Sequence, residues 1–220
     1  GGDGGSYTDT KNFKLVLHTT ESRNYYPSRD HYYGHTNPPH VTLHRGTIYQ
    51  HFPFGRAARA LQNKAGGVQT NRDAAIQIEI AWNAKDINQM PRRDWKALKV
   101  FIKWLEMEWG IPPVCVEFGD SRQYGYKNPK ELTNAQWDDF RGVCGHQHVP
   151  ENAHWDPGPL DARRLELLGL TVRHPAAAFM SAPKATEKEP PRESLRPPTA
   201  GDNWIAAFFK MIARLLGGKD

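Results

Sequence analysis

Between Gly145 and Gly158 the chain reads Gly-His-Gln-His-Val-Pro-Glu-Asn-Ala-His-Trp-Asp-Pro-Gly, which puts His146, His148, His154 and Asp156 within eleven positions. Zinc is held tetrahedrally by neutral imidazole nitrogens and carboxylate oxygens, and a catalytic site uses three such ligands and leaves the fourth position to water. Two prolines stiffen this stretch into a loop. Spacing alone does not decide the matter, because ten histidines in 220 residues will cluster somewhere and a solvated histidine-rich loop explains the pattern equally well. A second residue with chemical potential is Glu79, in mid-strand beside Ile76, Ile78 and Ile80. An unpaired buried carboxylate is costly, so its position needs a reason.

The elements that would position these groups can be read from periodicity. Phe13 to Leu17 is a short apolar run ending at His18, which predicts a strand with that histidine at its C-terminal end. Val41 and Leu43, the Arg45-Gly46 turn, and Ile48 to Phe52 form a hairpin pattern. In the segment from Asn71 to Trp82, Ile76, Ile78 and Ile80 point one way while Gln77 and Glu79 point the other. Pro91 suits the first position of a helix, Trp95, Leu98, Phe101, Ile102 and Leu105 follow at helical spacing, and Gly110 with Pro112 and Pro113 ends it. Thr133 is placed to cap a second helix carrying Trp137 and Phe140, and residues 159 to 168 predict a third, closed by Gly169. The fold class expected is mixed α/β, with a central mixed sheet flanked by helices and the metal site at one edge of the sheet.

Four of these segments, in this order, resemble the type 2 N-acetylmuramoyl-L-alanine amidases, the family that includes phage lysins and peptidoglycan recognition proteins. Phe13-Lys14-Leu15-Val16-Leu17-His18-Thr19-Thr20 resembles its first strand, Val41-Thr42-Leu43-His44-Arg45-Gly46-Thr47-Ile48 its hairpin, Ile76-Gln77-Ile78-Glu79-Ile80 its central strand, and the Gly145–Gly158 segment its closing motif. Carried over by position, the resemblance implies His18, His146 and Asp156 as Zn2+ ligands, Glu79 as the catalytic carboxylate, and His154 as the oxyanion-stabilising residue where many relatives have lysine. A histidine there makes activity more sensitive to pH, since imidazole titrates near neutrality. Some members carry a tyrosine where this chain has Pro39, which leaves the proton transfers to Glu79. The activity implied is hydrolysis of the amide between N-acetylmuramic acid and the L-alanine of the stem peptide. Arg122, Tyr124, Tyr126 and Trp137 lie in or beside the insertion before the closing motif and are candidates for gripping glycan or peptide, with loop packing the alternative. His148 is the alternative ligand to His146. His40, His44 and His51 read as wall or supporting residues of the hairpin, and His31 and His35 as loop surface.

The division expected is a flexible N-terminus over 1–12, a catalytic domain over 13–173, a Pro-rich linker over 174–202 and a cationic amphipathic helix over 203–217. In that last segment Trp204, Ile205, Phe208, Phe209, Met211, Ile212, Leu215 and Leu216 share a helical face opposite Lys210 and Arg214. It suits an anionic membrane or lipopolysaccharide surface, or alternatively a protein partner. The net charge of +5 favours anionic surroundings, and no nucleic-acid-binding motif accompanies it. No apolar run is long enough to span a membrane and no signal peptide is visible, so the cell-wall role implies that a leader was removed or that export takes another route. A monomer is expected, acting outside the cytoplasm or in the periplasm, with an endolysin-like lytic role. Cys115 and Cys144 admit one bridge or two buried thiols. The competing readings are a non-catalytic peptidoglycan receptor on the same fold and a membrane-active antibacterial effector. The first is disfavoured because receptors of this kind generally lack a ligand, whereas all three and Glu79 are present.

Overall fold

A computed structural model describes residues 4–23, 37–63, 65–119 and 131–173. The expectations for Arg122, Tyr124, Tyr126, His31, His35, the linker and the C-terminal helix lie outside the described residues.

Seven strands form one sheet: β1 (Asp9–Thr19), β2 (Val41–His44), β3 (Thr47–Gln50), β4 (Asp73–Ile80), β5 (Val114–Val116), β6 (Gly142–Gly145) and β7 (Thr171–Arg173). Their order is β3-β2-β4-β1-β6-β5-β7. Every pairing is parallel except the β2–β3 hairpin, so the sheet is mixed, as expected. Among the described residues three α-helices accompany it: α1 (Arg92–Trp109), α2 (Asn134–Asp139) and α3 (Ala162–Leu168).

The two faces of the sheet differ because side chains alternate along each strand. Leu15 and Leu17 of β1, Leu43 of β2 and Ile76, Ile78 and Ile80 of β4 join Trp95, Leu98, Phe101, Ile102 and Leu105 of α1 in one core. That helix ends where Gly110 takes a left-handed conformation (φ 63°) and its N–H closes on the Leu105 carbonyl. The opposite face carries Val16, Ala75 and Cys144, packed with Trp137, Phe140 and Val149 into a second, smaller core. It also carries the polar residues Lys14, His18, Gln77 and Glu79 of the same strands, and loops with the short α2, rather than the long helix, cover it. Among the described residues, no helix is long and apolar enough to cross a membrane.

Two expectations need correction, and one open alternative is decided. The first strand begins at Asp9, well inside the segment expected to be flexible. Gly4 N–H donates to the Ala57 carbonyl at 2.7 Å, and the Tyr7 ring packs edge-on against Phe13 at 5.2 Å while its hydroxyl donates to the Phe54 carbonyl. One anchored aromatic thus orders a stretch whose composition reads as coil. Trp137 does not face a binding cleft. It is completely buried, with the Lys14 ammonium 4.4 Å from its ring centroid, and so is a core residue. The two cysteines cannot bridge: Cys115 pairs with Val143 in register and lies in the core under α1, whereas Cys144, one residue further, lies in the core on the other face. Both are free and buried.

Candidate metal centre and facing carboxylate

The edge of the sheet that carries the site is the one made by the C-terminal ends of its central strands, not an outermost strand. His18 is the penultimate residue of β1, and in the β1–β4 register it lies beside Glu79. On the other side of Glu79 is Thr42 of β2, whose hydroxyl is 2.9 Å from His51 Nε2. His18, Glu79 and Thr42 therefore form one row across three strands, on the face not covered by α1. Beyond β1, strand β6 ends at Gly145 and delivers His146. The chain then doubles back so that Gln147 N–H bonds the Asp156 carbonyl at 2.9 Å, which returns the carboxylate to the end of β1. Gly158 makes this return possible: its φ is +87° and a Cβ there would run into the Ala84 carbonyl oxygen.

Three ligand atoms converge. His18 Nδ1 is 3.1 Å from His146 Nδ1, His146 Nδ1 is 3.3 Å from Asp156 Oδ1, and His18 Nδ1 is 3.5 Å from Asp156 Oδ2. Donors bound at 2.0–2.2 Å to a tetrahedral ion stand about 3.3–3.6 Å from one another, so the spacing suits a small divalent metal. All three residues are buried. Burial, with His146 alongside, pushes His18 down to about 4, which leaves its imidazole neutral and its lone pair available. Burial alone would raise Asp156, but the charge and hydrogen bond of His146 and the hydrogen bonds of His154 and His18 prevail and hold it well below the usual carboxylate range. A neutral His18 imidazole and an ionised Asp156 carboxylate are the protonation states that metal binding requires of these two ligands.

Glu79 is partly buried, and its Oε2 has no hydrogen-bond partner among the described residues. Burial, then the charges of Asp156 and Glu21, push its carboxyl up to about 8. A carboxyl tuned to that range can take up and release a proton near neutrality. His154 stacks on His146, with ring centroids 3.7 Å apart and an interplanar angle of 13°, and its Nδ1 lies 3.2 Å from Asp156 Oδ1. An ionised carboxylate only accepts, so Nδ1 carries the proton and Nε2 is the remaining polar atom of a side chain that is 33% exposed.

Two further histidines, His148 and His40, are structural. His148 Nδ1 accepts from Gly145 N–H at 2.8 Å and its Nε2 donates to the Glu117 carbonyl at 3.0 Å, so it is not an alternative ligand. His40 Nδ1 accepts from Gln77 N–H, and its Nε2 donates to the Arg56 carbonyl. Two contributors were not singled out from sequence. Thr19 N–H donates to Asp156 Oδ2 at 3.3 Å, and its hydroxyl donates at 2.7 Å to Glu21, which also accepts from Ala84 N–H. Glu21 thereby ties the end of β1 to the segment that follows β4. The polar run Thr19-Thr20-Glu21 after an apolar strand is the only signal sequence offers for it.

A family model for N-acetylmuramoyl-L-alanine amidase matches residues 10–159, a span that contains every residue of this site. The chain belongs to that family, and peptidoglycan is the substrate class that goes with it. No curated protein among those compared matches the chain.

Proposed function

We propose that the protein is a zinc-dependent hydrolase that cuts the amide between N-acetylmuramic acid and the L-alanine of the stem peptide, in a lytic, endolysin-like role. The observation that carries this reading is the convergence of His18, His146 and Asp156, with Glu79 beside His18 in the adjacent strand. The two imidazoles and the carboxylate are the groups that would hold zinc, which when bound supplies Lewis acidity toward the scissile carbonyl and lowers the pKa of water. Glu79 takes the proton of the attacking water and returns it to the departing amine of L-alanine. His154, anchored through Nδ1, presents Nε2 to the oxyanion; donation from that atom requires the imidazolium form. Arg122, Tyr124 and Tyr126 are proposed to contact the glycan or stem peptide.

The test is digestion of purified peptidoglycan with and without chelator, followed by identification of the new ends. The expected products are a free lactyl carboxyl and a free L-alanine amine, formed only without chelator. New reducing sugar ends, or peptide cleavage elsewhere in the stem, would overturn the reading.

The segment 203–217 is proposed to carry the enzyme, acting as a monomer outside the cytoplasm, to anionic lipid or lipopolysaccharide; the sequence periodicity supports this. Removing residues 174–220 is expected to weaken binding to anionic liposomes while leaving cleavage of purified wall fragments intact. Unchanged liposome binding would refute it.

A further inference from the structure

The metal ligand His146 is held from behind by a buried amide. Its Nε2 lies 3.0 Å from Asn152 Oδ1, and Asn152 is 2% exposed. The orientation of the Asn152 amide follows from its other partners. Nδ2 donates to the carbonyls of Gln62 at 3.1 Å and Pro150 at 3.0 Å, which can only accept. Oδ1 accepts from Gln62 N–H at 2.8 Å. The atom facing His146 is therefore an acceptor, which requires the proton of the neutral imidazole to sit on Nε2 and places the lone pair on Nδ1. Nδ1 is the atom that points at His18 and Asp156.

Asn152 is in turn one rung of a longer support. Residues 60–62 run alongside three buried amide side chains that bond to their backbone. Ala60 N–H donates to Gln77 Oε1; Leu61 gives its N–H to Asn71 Oδ1 and accepts from Asn71 Nδ2; and Gln62 is held at both ends by Asn152. Gln77 Nε2 donates to Asn71 Oδ1 at 3.0 Å, and Gln77 is two residues from Glu79 on β4. Hydrogen bonds that are buried at Gln77, Asn71 and Leu61 and part-buried at Gln62, linked by the backbone of residues 60–62, thus join the strand carrying Glu79 to the ring of His146.

We infer that Asn152 is a positioning residue that fixes His146 as an Nδ1 ligand and, through residues 60–62, holds it at a set distance from the strand of Glu79. The inference rests on the metal-centre reading above. Hydrogen-bonded partners of metal-bound imidazoles affect affinity by about 10–100-fold when removed.

The experiment measures Zn2+ affinity by competition with a chromophoric chelator, the visible spectrum of the Co2+-loaded protein, and Tm, for the full chain and three variants. Asn152→Ala removes the acceptor, and its Zn2+ affinity is expected to fall about 10–100-fold with an altered Co2+ spectrum. Asn152→Asp keeps an acceptor toward His146 but loses the donors to Gln62 and Pro150; it is expected to lose Tm yet hold Zn2+ within a few-fold of the native chain. Glu151→Ala is the structural control, because it frees Val68 N–H, bonded to Glu151 Oε2 at 3.1 Å, and leaves Asn152 in place. It is expected to lose Tm but not Zn2+ affinity. If Asn152→Ala does not fold, Asn152→Leu, of similar volume and without an acceptor, takes its place. Native affinity without the acceptor, or affinity that simply follows Tm across the three variants, would overturn the inference. Failure of the unaltered chain to bind Zn2+ or Co2+ would instead sink the metal-centre reading itself.

Discussion

Lys14 offers a quantitative test of the packing far from the metal ligands. It is 1% exposed, with its ammonium 3.3 Å from the Asp73 carbonyl and over the Trp137 ring. Burial pushes its pKa down from 10.5 to about 8, only partly countered by Cys144, Asp73, Asp9 and Asp138. The unfolded chain therefore keeps this proton to higher pH than the folded one, so folding stability rises with pH between about 8 and 10.5. Below about 8 both states are charged and the full penalty applies. At 1.36 kcal/mol per pH unit that penalty is about 3 kcal/mol. Lys14→Met keeps the apolar contact with Trp137 but gives up a cation–π interaction of about 0.5–2 kcal/mol, which leaves a net gain of about 1–3 kcal/mol near neutral pH. Urea unfolding of both proteins from pH 7 to 10 measures it. The variant should be more stable at pH 7, with the advantage shrinking as pH climbs past 8. A less stable variant at pH 7, or a difference that stays flat to pH 10, would refute the reasoning.

Glu79→Ala should retain Zn2+ but lower turnover on peptidoglycan by about 10²–10⁴-fold, read from release of L-alanine amino ends; near-native turnover would remove Glu79 as the proton carrier. His18→Ala should lose metal and activity together, as equilibrium dialysis against Zn2+ would show. Trp137→Ala should cost about 3–5 kcal/mol in denaturant melts without raising KM at temperatures where it stays folded, since the ring lies in the core; a selective rise in KM would return it to the cleft.

The strongest periodicities were the most legible. Alternation in β4 sorted Ile76, Ile78 and Ile80 from Gln77 and Glu79, and helical spacing from Trp95 to Leu105 with Gly110 beyond marked α1. The reciprocal cap between Thr133 and Gln136 starts α2 where the threonine indicated. At the site, single-residue spacing left His146 and His148 open, and only the pairing of both His148 nitrogens with backbone separates them. The three-residue strands β5 and β7 are too short to show a period, and they form because neighbours supply their hydrogen bonds. Lys14 and Trp137 escaped reading for a shared reason. Each type is ordinarily assigned to a surface or a groove, and their mutual burial is a long-range fact that no local window contains. Asn152 was in view within the closing segment, but its role depends on Gln62, ninety positions earlier.

The placement of the cysteines on opposite sides of one sheet makes the native state indifferent to redox potential. No oxidant is needed to complete it and no reductant can loosen it. Burial pushes both thiols up to about 12, so neither offers much thiolate to alkylating reagents or peroxide while the sheet is intact. Thiol labelling then becomes a clean clock for unfolding of this protein: sulfur that reacts is sulfur whose strand has come apart.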